Sequence, residues 1–149
     1  MKIRKYRIDT MSPLVLSSLS FLYPLVLGRQ IKCKLIRKGY TTILGSILGS
    51  SVLVHSGIQN LLIIDRFFIF IWIVFNTHIL VRVRRKMKAI GFAFIVLILG
   101  ATKMYQKSKF LHMMMHIAGS IGTTILIYEV IDDEKKEKSL PLITFDTGT

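Results

Sequence analysis

Apolar residues gather along this chain in five runs, at residues 11–27, 41–55, 61–81, 89–102 and 110–131. The strongest is the third, LLIIDRFFIFIWIVFNTHILV. A helix that crosses a bilayer needs about 20 residues, so the shorter second and fourth runs are expected to extend into their flanks. The pattern predicts an all-α fold, a polytopic membrane helix bundle of about five transmembrane helices. With no long linker and no convincing repeat, residues 1–131 read as a single domain. Residues 132–149 open with DDEKKEK and read as a solvated C-terminal tail. The first run follows a basic segment, as a signal peptide would. It lacks a clear small-residue cleavage site and is long for a signal core, so it reads as a retained first span.

Charge sharpens this picture. Of the 149 residues, 52% are hydrophobic, yet 21 Lys and Arg against 8 Asp and Glu give a net charge of +13. The basic residues sit in KIRKYR, RQIKCKLIRK, RVRRKMK and KMYQKSK, between the apolar runs. Basic connectors between apolar spans are a membrane pattern. A nucleic-acid-binding face would carry its charge along a helix or a sheet instead, so no nucleic acid partner is expected. The lone cysteine, Cys33, excludes an intrachain disulfide and a cysteine-based zinc site. The spacings Gly45–Gly49 and Ala118–Gly122 suggest close helix packing, with the second and fifth helices interior.

Ionisable groups inside spans are expensive and usually functional. The candidates are His55, Asp65, Arg66, His78, His112, His116 and Glu129. Chain parity sorts them. His55 ends the second helix and Asp65 begins the third after a short connector, so both lie near one membrane face. The third helix crosses, the fourth returns, and the fifth starts at that same face with His112 and His116. His78 lies about 20 Å along its helix from Asp65, near the opposite face, as does Glu129. Both read as interfacial. The opposite face collects more of the basic residues, which predicts that it is cytoplasmic together with the C-terminus.

His112 and His116 share one helix face at i and i+4, as do Ser51 and His55. Three histidines at one depth suit a catalytic zinc site, with three nitrogen ligands and an open position for water. Zinc lowers the pKa of such a water towards 7, and a nearby carboxylate can exchange its proton. His55, His112 and His116 are therefore candidate metal ligands, and Ser51 and Asp65 candidate catalytic residues. Interhelical hydrogen bonding without metal remains an alternative, as does haem ligation. An i, i+4 pair on one helix is poor geometry for two axial haem ligands.

SVLVH, an aspartate ten residues later, and HMMMHI opening the last helix together resemble the signature of the CREST superfamily of intramembrane hydrolases. That group includes alkaline ceramidases and the progestin and adiponectin receptor relatives. HMMMHIAGSIGTTILIY looks most like the alkaline ceramidase branch. The resemblance implies His55, His112 and His116 as Zn2+ ligands, with Ser51 and Asp65 around the bound water. It implies a zinc-dependent hydrolase acting on an amide bond of a membrane lipid, ceramide-like, in sphingolipid metabolism. A receptor-like or scaffold protein of the same fold, keeping the metal for structure, is the alternative. The implied location is an integral protein of the endoplasmic reticulum or Golgi membrane in a eukaryotic or viral setting. The family usually has seven helices, and the match covers the second, third and fifth helices here. A five-helix chain leaves room for an oligomer to complete the lipid pocket.

Overall fold

The structure is a computed structural model that describes residues 13–84, 87–106 and 108–137. The basic segment 1–12, two residues of the RVRRKMK cluster, Lys107 and tail residues 138–149 lie outside the described residues. Those described form helices and turns, with no strand among them.

The first apolar run is not one helix. It divides into α1 (Pro13–Ser18), a 3-10 turn (Leu19–Phe21), α2 (Leu22–Leu27) and a second 3-10 turn (Gly28–Gln30). Pro24 explains the break. It has no N–H to give to the carbonyl of Ser20, and its ring crowds that carbonyl. The carbonyl turns outward and accepts the Ser120 hydroxyl at 2.7 Å. The chain loses one helical bond and gains a tie to another helix.

The other four runs form longer helices: α3 (Lys34–His55), α4 (Leu62–Arg82), α5 (Met87–Gln106) and α6 (Lys109–Glu137). The short second and fourth runs do extend into their flanks. α3 packs against α4 on one side and α1 and α2 on the other, and α6 packs against α1, α2 and α5. Tyr40, Leu44, Ile47, Ile31 and Ile127 fill the centre, with Phe21 and Leu126 around them. Polar links cross the apolar contacts. Trp72 donates to Thr123 Oγ1 at 3.1 Å, joining α4 to α6, and the Tyr40 hydroxyl donates to Asn76 at 3.3 Å, joining α3 to α4. Interhelical hydrogen bonds of this kind contribute about 0.6 kcal/mol each in a membrane.

The close approaches fall on glycines other than the expected Gly45–Gly49 pair. A Cβ at Gly45 or Gly49 would meet nothing within 4 Å. A Cβ at Gly119 would lie 3.1 Å from Trp72 and 3.5 Å from Phe21. Spacing identifies small residues on one face of a helix, but not whether a neighbour occupies that face.

α6 runs past Ile131, the boundary expected for the domain, to Glu137. Its acidic end is engaged. The Glu134 carboxylate accepts the backbone N–H groups of Lys32 and Cys33, each at 2.8 Å, just before α3. Asp133 accepts the N–H of Arg84 after α4, at 2.9 Å. Negative charge at a helix N-terminus is stabilising. These bonds also bring the start of α3 and the ends of α4 and α6 to one end of the bundle, leaving the opposite termini at the other.

Among the described residues two helices, Leu62–Arg82 and Lys109–Lys136, are long and apolar enough to cross a membrane. On α4, Ile63, Phe67, Phe70, Val74 and Val81 are exposed, so much of that helix is left uncovered by the described residues.

Candidate metal centre

His55 is the last residue of α3, and the turn after it is built to stop the helix there. Gly57 has φ 108°, a backbone region that favours glycine. Its N–H donates to Val54, and the N–H of Ile58 donates to Leu53, both at 3.1 Å. These are the paired bonds of a Schellman motif. The motif ends α3 at the His55 turn and directs the chain towards α4. His112 and His116 come from the first two turns of α6, at i and i+4.

The three imidazoles meet. Ring centroids are 4.8 Å apart for His55 and His112, 5.3 Å for His55 and His116, and 4.8 Å for His112 and His116. One nitrogen from each can be chosen so that all three lie within 4.8 Å of one another. Three nitrogens on a tetrahedral zinc at about 2.0–2.1 Å would stand about 3.3 Å apart. Side-chain rotation can close that gap. His55 Nε2 and His116 Nδ1 are buried nitrogens. The donor set, three neutral-capable imidazoles from two helices, suits zinc and other imidazole-binding metals. These residues can hold a metal ion; which ion is a separate matter.

Aromatic packing and a serine relay surround the cluster. The Phe21 ring meets His116 edge-on at 6.1 Å and Trp72 edge-on at 6.0 Å. Ser20 donates to the carbonyl of His116 at 3.4 Å. The break at Pro24 thus sits beside α6 and braces the turn that carries His116.

Asp65 is buried near the start of α4, at the same end of the bundle. Its partner is Ser50, whose hydroxyl donates to Oδ1 at 2.8 Å. Ser51, which spacing placed beside His55, instead faces Ser18 at 3.1 Å. Ser18 already gives its proton to the carbonyl of Leu14 at 2.9 Å, which makes Ser51 the donor to Ser18. Ser51, fully buried, is then left with lone pairs alone and has no proton for an oxyanion. Neighbouring helix positions are about 100° apart, enough to turn Ser50 towards α4 and Ser51 towards α1. The expectation of Ser51 was drawn along one helix, and position 50 was overlooked because the partner that selects it lies on another. Gly57 was also overlooked, although a glycine two residues after the last helical histidine is a recognisable stop signal.

His78 is exposed on α4, away from the cluster, and Arg66 is exposed beside buried Asp65. Glu129 is half-buried towards the far end of α6.

Comparison with known proteins adds no assignment: no family model, no curated protein and no solved structure matches this chain.

Proposed function

We propose that this chain is a polytopic, five-span membrane protein of the CREST type, and a zinc-dependent hydrolase acting on the amide bond of a ceramide-like lipid. One observation carries the proposal: three histidines from two helices meet at the bundle end that also holds a buried aspartate. The exposed apolar faces of α4 and α5 favour lipid surroundings, because a contiguous apolar surface of this kind is costly in water. Bound zinc would supply a water of lowered pKa and polarise a carbonyl oxygen.

The chain's own residues have separable tasks. His55, His112 and His116 hold the metal. Asp65, oriented by Ser50, accepts and returns a proton. Ser51 ties α3 to Ser18 of α1. Phe21 and Ser20 fix the turn of α6 that presents His116.

The test is hydrolysis by the purified full chain in mixed micelles, with zinc measured on the same sample. Stoichiometric zinc and release of fatty acid from ceramide, both lost in His116→Ala, are expected. A second reading, a non-catalytic receptor-like or scaffold protein, draws on the origin of the ligands: a metal joining α3 to α6 would staple helices far apart in sequence. Full zinc occupancy with no release from ceramide or phospholipid would replace the hydrolase with that reading. Absence of zinc binding would remove both.

A further inference from the structure

At the end of the bundle opposite the histidines, a cavity of about 400 Å³ opens between the turn after α2 and the first turns of α3. Arg29, Arg37, Lys38, Thr41 and Thr42 line it. The lining is ordered by helix geometry. Arg37 and Thr41 are four residues apart, as are Lys38 and Thr42, so two columns run side by side on α3. Each has a cation above and a hydroxyl one turn, about 5.4 Å, below. Arg29 faces them from the other wall. We propose that this cavity binds a phosphate monoester, with Arg29, Arg37 and Lys38 around the anion.

Charge accounting supports an external anion. Acidic residues at the nearby end of α6 could have neutralised these cations, but Asp132, Asp133 and Glu134 are each engaged elsewhere, and Glu129 lines a separate depression with Lys135. Asp132 pairs with Lys136, Asp133 accepts the Arg84 N–H, and Glu134 accepts the amides of Lys32 and Cys33. Among the described residues no carboxylate pairs with Arg29, Arg37 or Lys38. Three like charges around one cavity repel, and a dianion relieves that repulsion. Arg37 is held in place by an Nη1 bond to the carbonyl of Ile31 at 3.4 Å, leaving its other N–H groups for a ligand. Planar guanidinium groups match phosphate oxygens in pairs, and a dianion answers more of the three positive charges than one carboxylate would.

The surroundings favour a lipid as the source of the phosphate. Val26 and Leu22 stand three and seven residues before Arg29, and both are exposed. They continue the Arg29 side of the segment towards the middle of the bundle, where an acyl chain would lie. A soluble phosphate ester would use the cations and leave this apolar strip uncovered.

Calorimetric titration of the full chain in detergent distinguishes the sources. The probes are dioctanoyl phosphatidic acid, dioctanoylglycerol and inorganic phosphate. The variants are R29Q/K38Q, at two exposed cavity residues, and R82Q/K88Q, which removes the same charge from the neighbouring basic segment. Phosphatidic acid is expected to bind saturably at one per chain, and dioctanoylglycerol not to bind. R29Q/K38Q should weaken phosphatidic acid binding about tenfold or more, the size of one lost charge-assisted contact. R82Q/K88Q should change it by no more than about twofold, as expected of screened surface charge. Inorganic phosphate within about tenfold of the lipid would keep the site and assign a soluble ester, since the apolar strip would then add less than about 1.4 kcal/mol. His55→Ala should bind phosphatidic acid like wild type, because Thr41 and His55 are about 20 Å apart along α3. Lack of saturable binding by either phosphate probe, or equal losses in the two double variants, would overturn the proposal.

Discussion

Replacing His55 with alanine removes the one imidazole that α3 brings to the cluster and leaves the pair on α6. The size of the effect follows from the ligand count. Four-ligand zinc sites in small domains are worth about 10–16 kcal/mol, or about 2.5–4 kcal/mol per ligand. Losing one ligand should therefore weaken zinc binding about 10²- to 10³-fold. The same loss should appear in stability. With free zinc at about 100 times the wild-type Kd, binding stabilises the folded chain by about 2.7 kcal/mol. After a hundredfold loss of affinity, the same zinc stabilises His55→Ala by only about 0.4 kcal/mol. The assay is a titration in chelator-buffered zinc, with thermal unfolding in detergent followed in parallel. His112→Ala and His116→Ala should behave like His55→Ala, whereas exposed His78→Ala should keep the wild-type response. Zinc affinity in His55→Ala within about threefold of wild type would refute the reasoning, since three nitrogens could not then be the ligand set. Equal losses in His78→Ala would refute it as well.

Three further predictions rest on other contacts. Ser50→Ala should lower turnover and cost about 1.5–3 kcal/mol of stability, because it strips a buried carboxylate of its donor; Ser51→Ala should cost about 1 kcal/mol or less and keep more activity, and the reverse order in unfolding and hydrolysis assays would discard the Ser50–Asp65 pairing. Gly119→Ala should destabilise by about 1–2 kcal/mol as its methyl group presses on Trp72, whereas Gly45→Ala, whose added methyl meets nothing within 4 Å, should be neutral or slightly stabilising; thermal unfolding of the two variants decides this. Glu134→Ala should cost about 1 kcal/mol by releasing two amides before α3, and hydrogen exchange at Lys32 and Cys33 should rise; unchanged exchange would contradict that contact.

Much of this arrangement was legible in the order of polar residues. Apolar runs located the helical regions but not their ends: α3 starts at Lys34, well before its run, and α6 continues to Glu137, past its own. Parity placed His55, His112 and His116 at one end, since the direction of each helix follows from the number of crossings before it. The first run reads as one span, yet its helix breaks before Pro24, and only the position of α6 gives the freed Ser20 carbonyl its partner. The pairing of Ser50 with Asp65 has the same origin. Spacing along α3 names the residues near His55, whereas α4 and α1, approaching from different sides, decide which hydroxyl meets the carboxylate. Gly45 and Gly49 mark the same limit from the opposite direction: they have the right spacing, but among the described residues nothing lies within 4 Å of a Cβ placed there.

The bonds from Glu134 to Lys32 and Cys33 carry a consequence for biogenesis. A ribosome makes this chain from its N-terminus, at about 5–20 residues per second. When α3 and α4 first pair, the amides before α3 have no carboxylate, and His55 stands without the other two imidazoles. Both deficits end with the same event, the arrival of α6. Its first turns bring His112 and His116 to one end of the bundle while its last turns close the loop at the other. A nascent chain therefore lacks the three-histidine cluster until α6 has docked. A chain interrupted before α6 would leave a single histidine there, and any metal the cluster holds could load only afterwards.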